Sequence, residues 1–273
     1  MATKATSVKK KAPAKVTSAA KKVKKVASKP AATKNTFIGH VQQSVRSLAL
    51  WRSMGAEFLG TFLLAGVVIA GQGQPIFVLF ALAGIILLVG AVSGAHVNPA
   101  VTIGALVTRR IGWLRALGYV IAQVLGAAFA FVVLSAFIGG AAAVSEEAEL
   151  FGQTAPALYS AVDVTTLAGK EWYVFFAELV GALVLAFAIA NVLRETQDRA
   201  AAALTGGLGI FIALMIAVSA ASYVGATAAI NPAVAVALQA FSWSTIWPFA
   251  IYAVAPVLGG VVGFILHDLL RQK

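Results

Sequence analysis

The stretch "GAHVNPAVTIG" at residues 94–104 decides the fold, because it places Asn98 and Pro99 inside a run that is otherwise apolar enough for lipid. The same letters return in "AINPAVAVAL" at residues 229–238. Asn is a favoured helix N-cap, and Pro is tolerated at the first helical position, where its missing N–H would have no partner. Residues that are poor inside a membrane helix are therefore good at starting one.

Each Asn-Pro-Ala segment begins a run that is too short to cross a bilayer. We predict half-helices over 99–108 and 232–241, each about 15 Å long against ~30 Å of hydrocarbon. Backbone outside a regular helix is tolerated at that depth only where it is buried in protein or faces a wet cavity. An Asn side-chain oxygen can cap its own helix while its amide N–H groups point into a channel. Two converging positive helix ends then favour an uncharged solute that bears oxygen and oppose cations and protons.

The composition indicates an integral membrane protein. Hydrophobic residues make up 60% of the chain, charged residues only 11%, and the mean hydropathy is +0.89. Three runs without Asp, Glu, Lys or Arg are too long for a soluble core: 58–108, 116–145 and 200–267. Because there is no Cys, only three His and few acids, we expect no metal site, no catalytic residues, no cofactor and no enzyme activity.

Six segments are long enough to span a membrane. They are 47–71, 76–93, 115–138, 172–193, 201–221 and 246–268. An even number of spans places both termini on one side, together with "RRIGWLR" at 109–115 and "RETQDR" at 194–199. The positive-inside rule makes that side the cytoplasm and puts "SEEAE" at 145–149 on the extracellular or periplasmic side. We expect a multi-pass protein of the plasma membrane with cytoplasmic termini.

The chain divides into four predicted parts: a Lys-rich tail at 1–45, a first repeat at 46–140, an extracytoplasmic connecting loop at 141–170 and a second repeat at 171–273. Thirteen of the 21 Lys and Arg residues lie at or before Arg52, where there is no acid. The tail lacks an apolar stripe and the h-region of a signal peptide, so we interpret it as disordered. Anionic lipid is its favoured partner, and nucleic acid is the alternative.

The two halves are copies of each other. "AEFLGTFLL" parallels "AELVGALVL" and makes Glu57 equivalent to Glu178, while "YVIAQVLG" parallels "YAVAPVLG". The tyrosines that open the second pair, Tyr119 and Tyr252, each lie 21 residues after the Asn of their own half. Because each half holds three spans, the second half enters the membrane from the opposite side. Such inverted repeats place a transport path near the midplane.

With the Asn-Pro-Ala pair and "SGAHVNPAVT", the sequence resembles the major intrinsic protein family, the aquaporins and aquaglyceroporins, over roughly residues 50–270. The motif residues are Asn98, Pro99, Ala100, Asn231, Pro232 and Ala233. The resemblance implies an all-α membrane fold of six transmembrane helices plus two re-entrant half-helices in an inverted repeat. It also implies a homotetramer that passes water and small neutral solutes without a cofactor. Glu57 and Glu178 are then expected to hydrogen-bond the pore-loop backbone, and His96 to have a structural role.

The family pattern fails at the selectivity filter. By family spacing its four positions are Val78, Ser219, Ala228 and Val234, and the last usually holds an arginine. Small or apolar residues at all four predict a mouth that is wider and less polar than in a strict water channel, and hence permeability to glycerol or urea. The alternative is that a divergent helix register or bulky neighbours narrow the pore elsewhere. Without the arginine only the half-helix ends oppose protons, so a proton leak stays open as well.

Two further classes of protein stay open. A coupled secondary transporter can also use broken helices and inverted repeats, but it needs a titratable or ion-binding group in the path. A non-conducting membrane anchor would use the bundle only to hold the basic tail against lipid or nucleic acid.

Overall fold

The structure is a computed structural model that describes residues 41–43, 45–140, 150–152 and 156–271. The disordered tail that the sequence predicts at 1–45 lies outside the described residues except for 41–43 and 45, which are helical. The "SEEAE" segment lies outside them as well. Within these ranges the regular structure is entirely helical, as the sequence predicts. Six of the helices are long and apolar enough to cross a membrane.

Eight helices follow the predicted order. They are α1 Leu48–Ala70, α2 Pro75–Ser93, α3 Pro99–Val107, α4 Trp113–Gly139, α5 Glu171–Val192, α6 Arg199–Ser222, α7 Pro232–Ala237 and α8 Trp247–Arg271. The short α3 and α7 are the half-helices, and the other six are the crossings. Large apolar side chains such as Phe80 and Leu88 are exposed on the outside of the bundle, which suits a lipid surface.

The helix ends follow local chemistry. Pro75 starts α2, and Gly94 ends it in the left-handed conformation with φ of 93°. Asp198 caps α6 by accepting hydrogen bonds from the backbone N–H groups of Ala200 and Ala201. Inside α8, Pro256 cannot donate to the carbonyl one turn earlier, and a wider π-turn precedes it over Ala250–Val254.

Glycines at equivalent places let the crossings approach closely. A Cβ on Gly126 of α4 would overlap the carbonyl oxygen of Phe58 in α1. In the second half, a Cβ on Gly259 of α8 would overlap the carbonyl oxygen of Leu179 in α5. The two halves therefore pack by the same backbone contact, as a structural repeat requires.

The second half-helix is shorter than the sequence predicts. α3 ends at Val107, one residue before the predicted boundary, whereas α7 ends at Ala237 and not at residue 241. The cause is a left-handed residue at Gln239, with φ of 56°, which lets the N–H of Ala240 close the helix onto Ala235 at 3.0 Å. The hydrophobic letters after the motif do not reveal this stop.

The bundle has two ends. We call the end that carries residues 71–74, 156–170 and 223–230 the loop end. The opposite end carries the connections at 108–112 and 193–198. There Arg110 pairs with Asp268 at 2.6 Å and donates to the carbonyl oxygen of Ala190 at 2.9 Å, so that α3, α5 and α8 are tied together.

Candidate pore site

The two Asn-Pro-Ala segments meet inside the bundle. The side-chain amide nitrogen of Asn98 donates to the backbone carbonyl of Ile230 at 3.0 Å, and that of Asn231 donates to the carbonyl of Val97 at 2.8 Å. Both asparagines are buried. Each loop is therefore fastened to the other by a reciprocal bond, and the half-helices begin face to face.

Each asparagine also caps its own half-helix. The side-chain oxygen of Asn98 accepts from the N–H of Ala100 at 2.8 Å, and that of Asn231 accepts from the N–H of Ala233 at 3.0 Å. An amide group carries two N–H donors. With the oxygen on its own helix and one N–H bonded across the junction, the second N–H of each amide is left for a solute.

The residue before each asparagine has an unusual backbone. Val97 has φ of 41° and Ile230 has φ of 48°, although both are β-branched. Such a conformation costs about 1–3 kcal/mol per residue and persists only where the surroundings impose it. In return it turns the two carbonyls that receive the opposite asparagines. The strained backbone at Val97 and Ile230 therefore orients the carbonyls that join the two loops.

Glu57 and Glu178 hold these strained loops. The N–H groups of His96 and Val97 donate to the two carboxylate oxygens of Glu57 at 3.0 and 2.7 Å. In the second half, the N–H groups of Ala229 and Ile230 donate to the two oxygens of Glu178, the latter at 2.7 Å. Both acids are fully buried, so these bonds also supply the partners that a buried carboxylate requires.

The first loop has extra polar support. Gln123 donates to Glu57 at 2.7 Å and to the Thr102 hydroxyl at 2.9 Å, and the Thr102 hydroxyl lies 3.2 Å from Nδ1 of His96. His96 is thus part of a buried network around the loop. The second half has Pro256 at the position equivalent to Gln123. Because Pro256 has no side-chain donor, Glu178 receives no hydrogen bond from this position.

Sequence reasoning missed further supports. The hydroxyl of Tyr119 donates to the carbonyl of Ser93 at 2.8 Å, and that of Tyr252 donates to the carbonyl of Thr227 at 3.0 Å. The sequence marks both tyrosines as repeat equivalents. Their buried position behind each loop follows only from the fold.

Three of the four predicted filter residues line one narrow cavity at the loop end. Val78, Ala228 and Val234 surround it together with Asn231, and its open volume is about 20 Å³. The remaining lining residues are Leu64, Val68, Gly73, Tyr159, Ile210, Leu214 and Ala229. A space of this size holds about one water molecule. The mouth is therefore narrower than four small residues predict.

Ser219 is not part of this cavity in the described structure. Its side chain is exposed, and α6 instead turns Ile210 and Leu214 towards the cavity. At 3.6 residues per turn, Ser219 points about 140° away from Leu214 around the helix axis. Counting back from Asn231 assumes the same helix register as in the family, and on α6 this count gives a residue outside the lining of the described cavity.

Two half-helices that begin face to face between six apolar crossings form the architecture of a membrane channel. The chain belongs to the major intrinsic protein family, because a family model of the description "Major intrinsic protein" matches residues 44–267. It is an integral, multi-pass membrane protein and not an enzyme.

Individual relatives agree with this assignment. Glycerol uptake facilitator protein-like 6 of Lactiplantibacillus plantarum is 34% identical over 221 residues, which cover 76% of this chain and 92% of that protein. Aquaporin-4 of Mus musculus is 29% identical over 246 residues, which cover 83% and 69%. Aquaporin NIP1-1 of Zea mays is 34% identical over 185 residues, which cover 67% of this chain and 57% of that protein.

A solved structure shares the fold. The aquaglyceroporin from Plasmodium falciparum superposes with a TM-score of 0.57 at 21% identity, covering 80% of this chain and 96% of that chain. At this identity the likeness concerns the fold alone.

Proposed function

We propose that this chain is a passive channel for water and small uncharged solutes such as glycerol, with a selectivity filter that contains no arginine. The observation that carries the proposal is the pair of reciprocal bonds, Asn98 to Ile230 and Asn231 to Val97, at 3.0 and 2.8 Å. These bonds place two amide groups at one buried junction, each with an N–H left to donate.

A passing solute meets donors at this junction and apolar walls beside it. A water or alcohol oxygen can accept from the asparagine N–H groups, whereas Val78, Ala228 and Val234 offer it no competing bond. Such a lining binds weakly enough to release the solute, as conduction requires. The half-helix starts oppose cations at the same place.

This geometry favours a channel over a coupled transporter. A transporter needs a titratable or ion-binding group in the path. Glu57 and Glu178 each spend both oxygens on backbone N–H groups, and neither lines the cavity in the described structure. The non-conducting anchor has no comparable support, because its binding element would be the tail outside the described residues.

The similar proteins support the class of solute. Their names include aquaporins and a glycerol uptake facilitator, so water and glycerol are the solutes to test. Val234 follows the second Asn-Pro-Ala and is buried against the cavity. We propose that it leaves the filter without a fixed positive charge, so that resistance to protons rests on the half-helix ends.

Assembly and placement belong to the same proposal. Homotetramers are typical of the family, and the broad apolar exterior offers surface for both protomers and lipid. We propose a plasma-membrane location with cytoplasmic termini, and lipid contact through the Lys-rich tail with nucleic acid as its alternative partner.

Stopped-flow light scattering on proteoliposomes tests the function. With sucrose outside, we expect rapid shrinkage relative to empty liposomes. With glycerol outside, we expect shrinkage followed by slower reswelling. Val234→Arg should abolish the reswelling, because it adds bulk and a fixed charge. Val234→Met adds length without charge and is the matched control.

The outcomes are separable. Water flux without any glycerol or urea flux would refute the wider solute range. Accumulation of solute against its gradient would favour the transporter. No flux above empty liposomes from a demonstrably folded protein would refute the channel and direct attention to the tail.

A further inference from the structure

The cavity is narrow although its predicted filter residues are small, and Tyr159 is the aromatic side chain among the residues that line it. Tyr159 belongs to the segment that precedes α5, and its side chain is half-buried in the cavity wall together with Ala228 and Val234. A longer side chain at position 234 would extend into this cavity. The Tyr159 ring, which comes from a distant part of the chain, borders the same space.

Gly73 makes room for this ring. A Cβ built on Gly73 would lie 2.6 Å from the Tyr159 hydroxyl oxygen and 2.7 Å from two of its ring carbons. Gly73 also has φ of 69°, a conformation that suits glycine. The Tyr159 ring therefore packs directly against the backbone of the turn between α1 and α2.

Thr227 lies near the Tyr159 phenol. Its hydroxyl accepts from the N–H of Val162, in the same segment as Tyr159, at 3.1 Å. Two residues after Tyr159, the N–H of Ala161 donates to the carbonyl of Leu238 at the end of α7, at 2.8 Å. The segment is therefore fastened to the pore loop at several points.

We propose that Tyr159 is a specificity-determining residue of the pore, where its ring sets the size limit at the mouth in place of the missing arginine. This inference rests on the proposed channel function. Water passes beside the ring, whereas glycerol, which is larger than the open space, passes only when the ring moves aside.

The chemistry of the mouth differs from that of an arginine filter. Burial raises the pKa of the Tyr159 phenol above its ordinary value, so the group is neutral at physiological pH. A neutral hydroxyl can donate to or accept from a solute but cannot repel a cation by charge. Selection at this point is by size and hydrogen bonding.

The test is the ratio of glycerol to water permeability in proteoliposomes of the full chain. Tyr159→Ala opens the mouth and should raise the ratio about tenfold, which corresponds to 1.4 kcal/mol of barrier. Tyr159→Phe keeps the ring and should keep the ratio within about twofold, because the hydroxyl contributes less than the ring. Tyr223→Ala is the matched control, since Tyr223 also lies at the loop end and is 89% exposed.

Each outcome decides the proposal. A Tyr159→Ala channel with the wild-type ratio, in vesicles that conduct water normally, refutes the role of Tyr159 while leaving the channel function intact. A change of equal size in Tyr223→Ala refutes it as well. If the wild type passes no water and Tyr159→Ala conducts, the ring closes the pore and does not select by size, and the proposal is refuted. If no folded variant conducts, the channel function and the inference both fail.

Discussion

Replacing Glu178 by Gln tests whether the carboxylate holds the second pore loop in its strained shape. The native carboxylate accepts from the N–H groups of both Ala229 and Ile230. Gln has one carbonyl oxygen, and its NH₂ group would face the other backbone N–H. One buried donor is then left without a partner, at a cost of about 1–3 kcal/mol.

The unpaired N–H belongs to Ala229 or Ile230. Either one borders the strained backbone of Ile230, with φ of 48°, whose carbonyl accepts from Asn98. We therefore expect destabilisation near 2 kcal/mol, and a fall in melting temperature of ~4–8 °C for a chain of this size. Water permeability should fall with it, because the loop relaxes away from the Asn98 amide.

Thermal unfolding in detergent and stopped-flow water flux provide the two readouts. Glu171→Gln, at the first turn of the same helix, is the matched control, because it makes the same substitution in another buried acid that does not accept from the N–H groups of Ala229 and Ile230. An unchanged melting temperature together with normal water flux in Glu178→Gln would refute the supporting role of the carboxylate.

Two further substitutions test the close packing of α5 against α8 and the contacts that position Tyr159. Gly259→Ala should prevent close contact of α8 with the carbonyl of Leu179 and sharply reduce the yield of folded protein. Gly66→Ala is the control, because Gly66 has open space around it and the yield should stay unchanged or rise. Size-exclusion profiles measure the yield in both cases. Thr227→Val removes the hydroxyl that lies near the Tyr159 phenol and accepts from the N–H of Val162. It should raise the glycerol-to-water permeability ratio by less than Tyr159→Ala does, and an unchanged ratio would show that other contacts hold the ring.

Long, strongly patterned features were predictable from the sequence. The six crossings match the predicted segments within a few residues because lipid demands about 20 apolar residues per helix, and few other features impose such a length. Asn98 and Asn231 mark the half-helix starts because capping is a local interaction that spans two or three residues.

The candidate site was predictable only in part. Glu57 and Glu178 lie against the pore loops in the structure, as the resemblance implies. Ser219 does not line the cavity that the other three filter residues share. A helix rotates each residue by 100°, so a small difference in register is enough to turn a side chain away. Tyr159 belongs to no sequence motif, so its position in the cavity wall could not be predicted.

By itself the sequence determined the medium, the number of crossings, the inverted repeat and the two helix starts, since each follows from composition or from contacts between near neighbours. The tertiary structure alone decided which carbonyl each asparagine amide meets and which side of α6 faces the cavity. It also decided that Tyr159 lies on Gly73 beside Val234. These contacts join residues far apart in the chain, and their geometry depends on how the helices pack and on where the connecting segment is fastened.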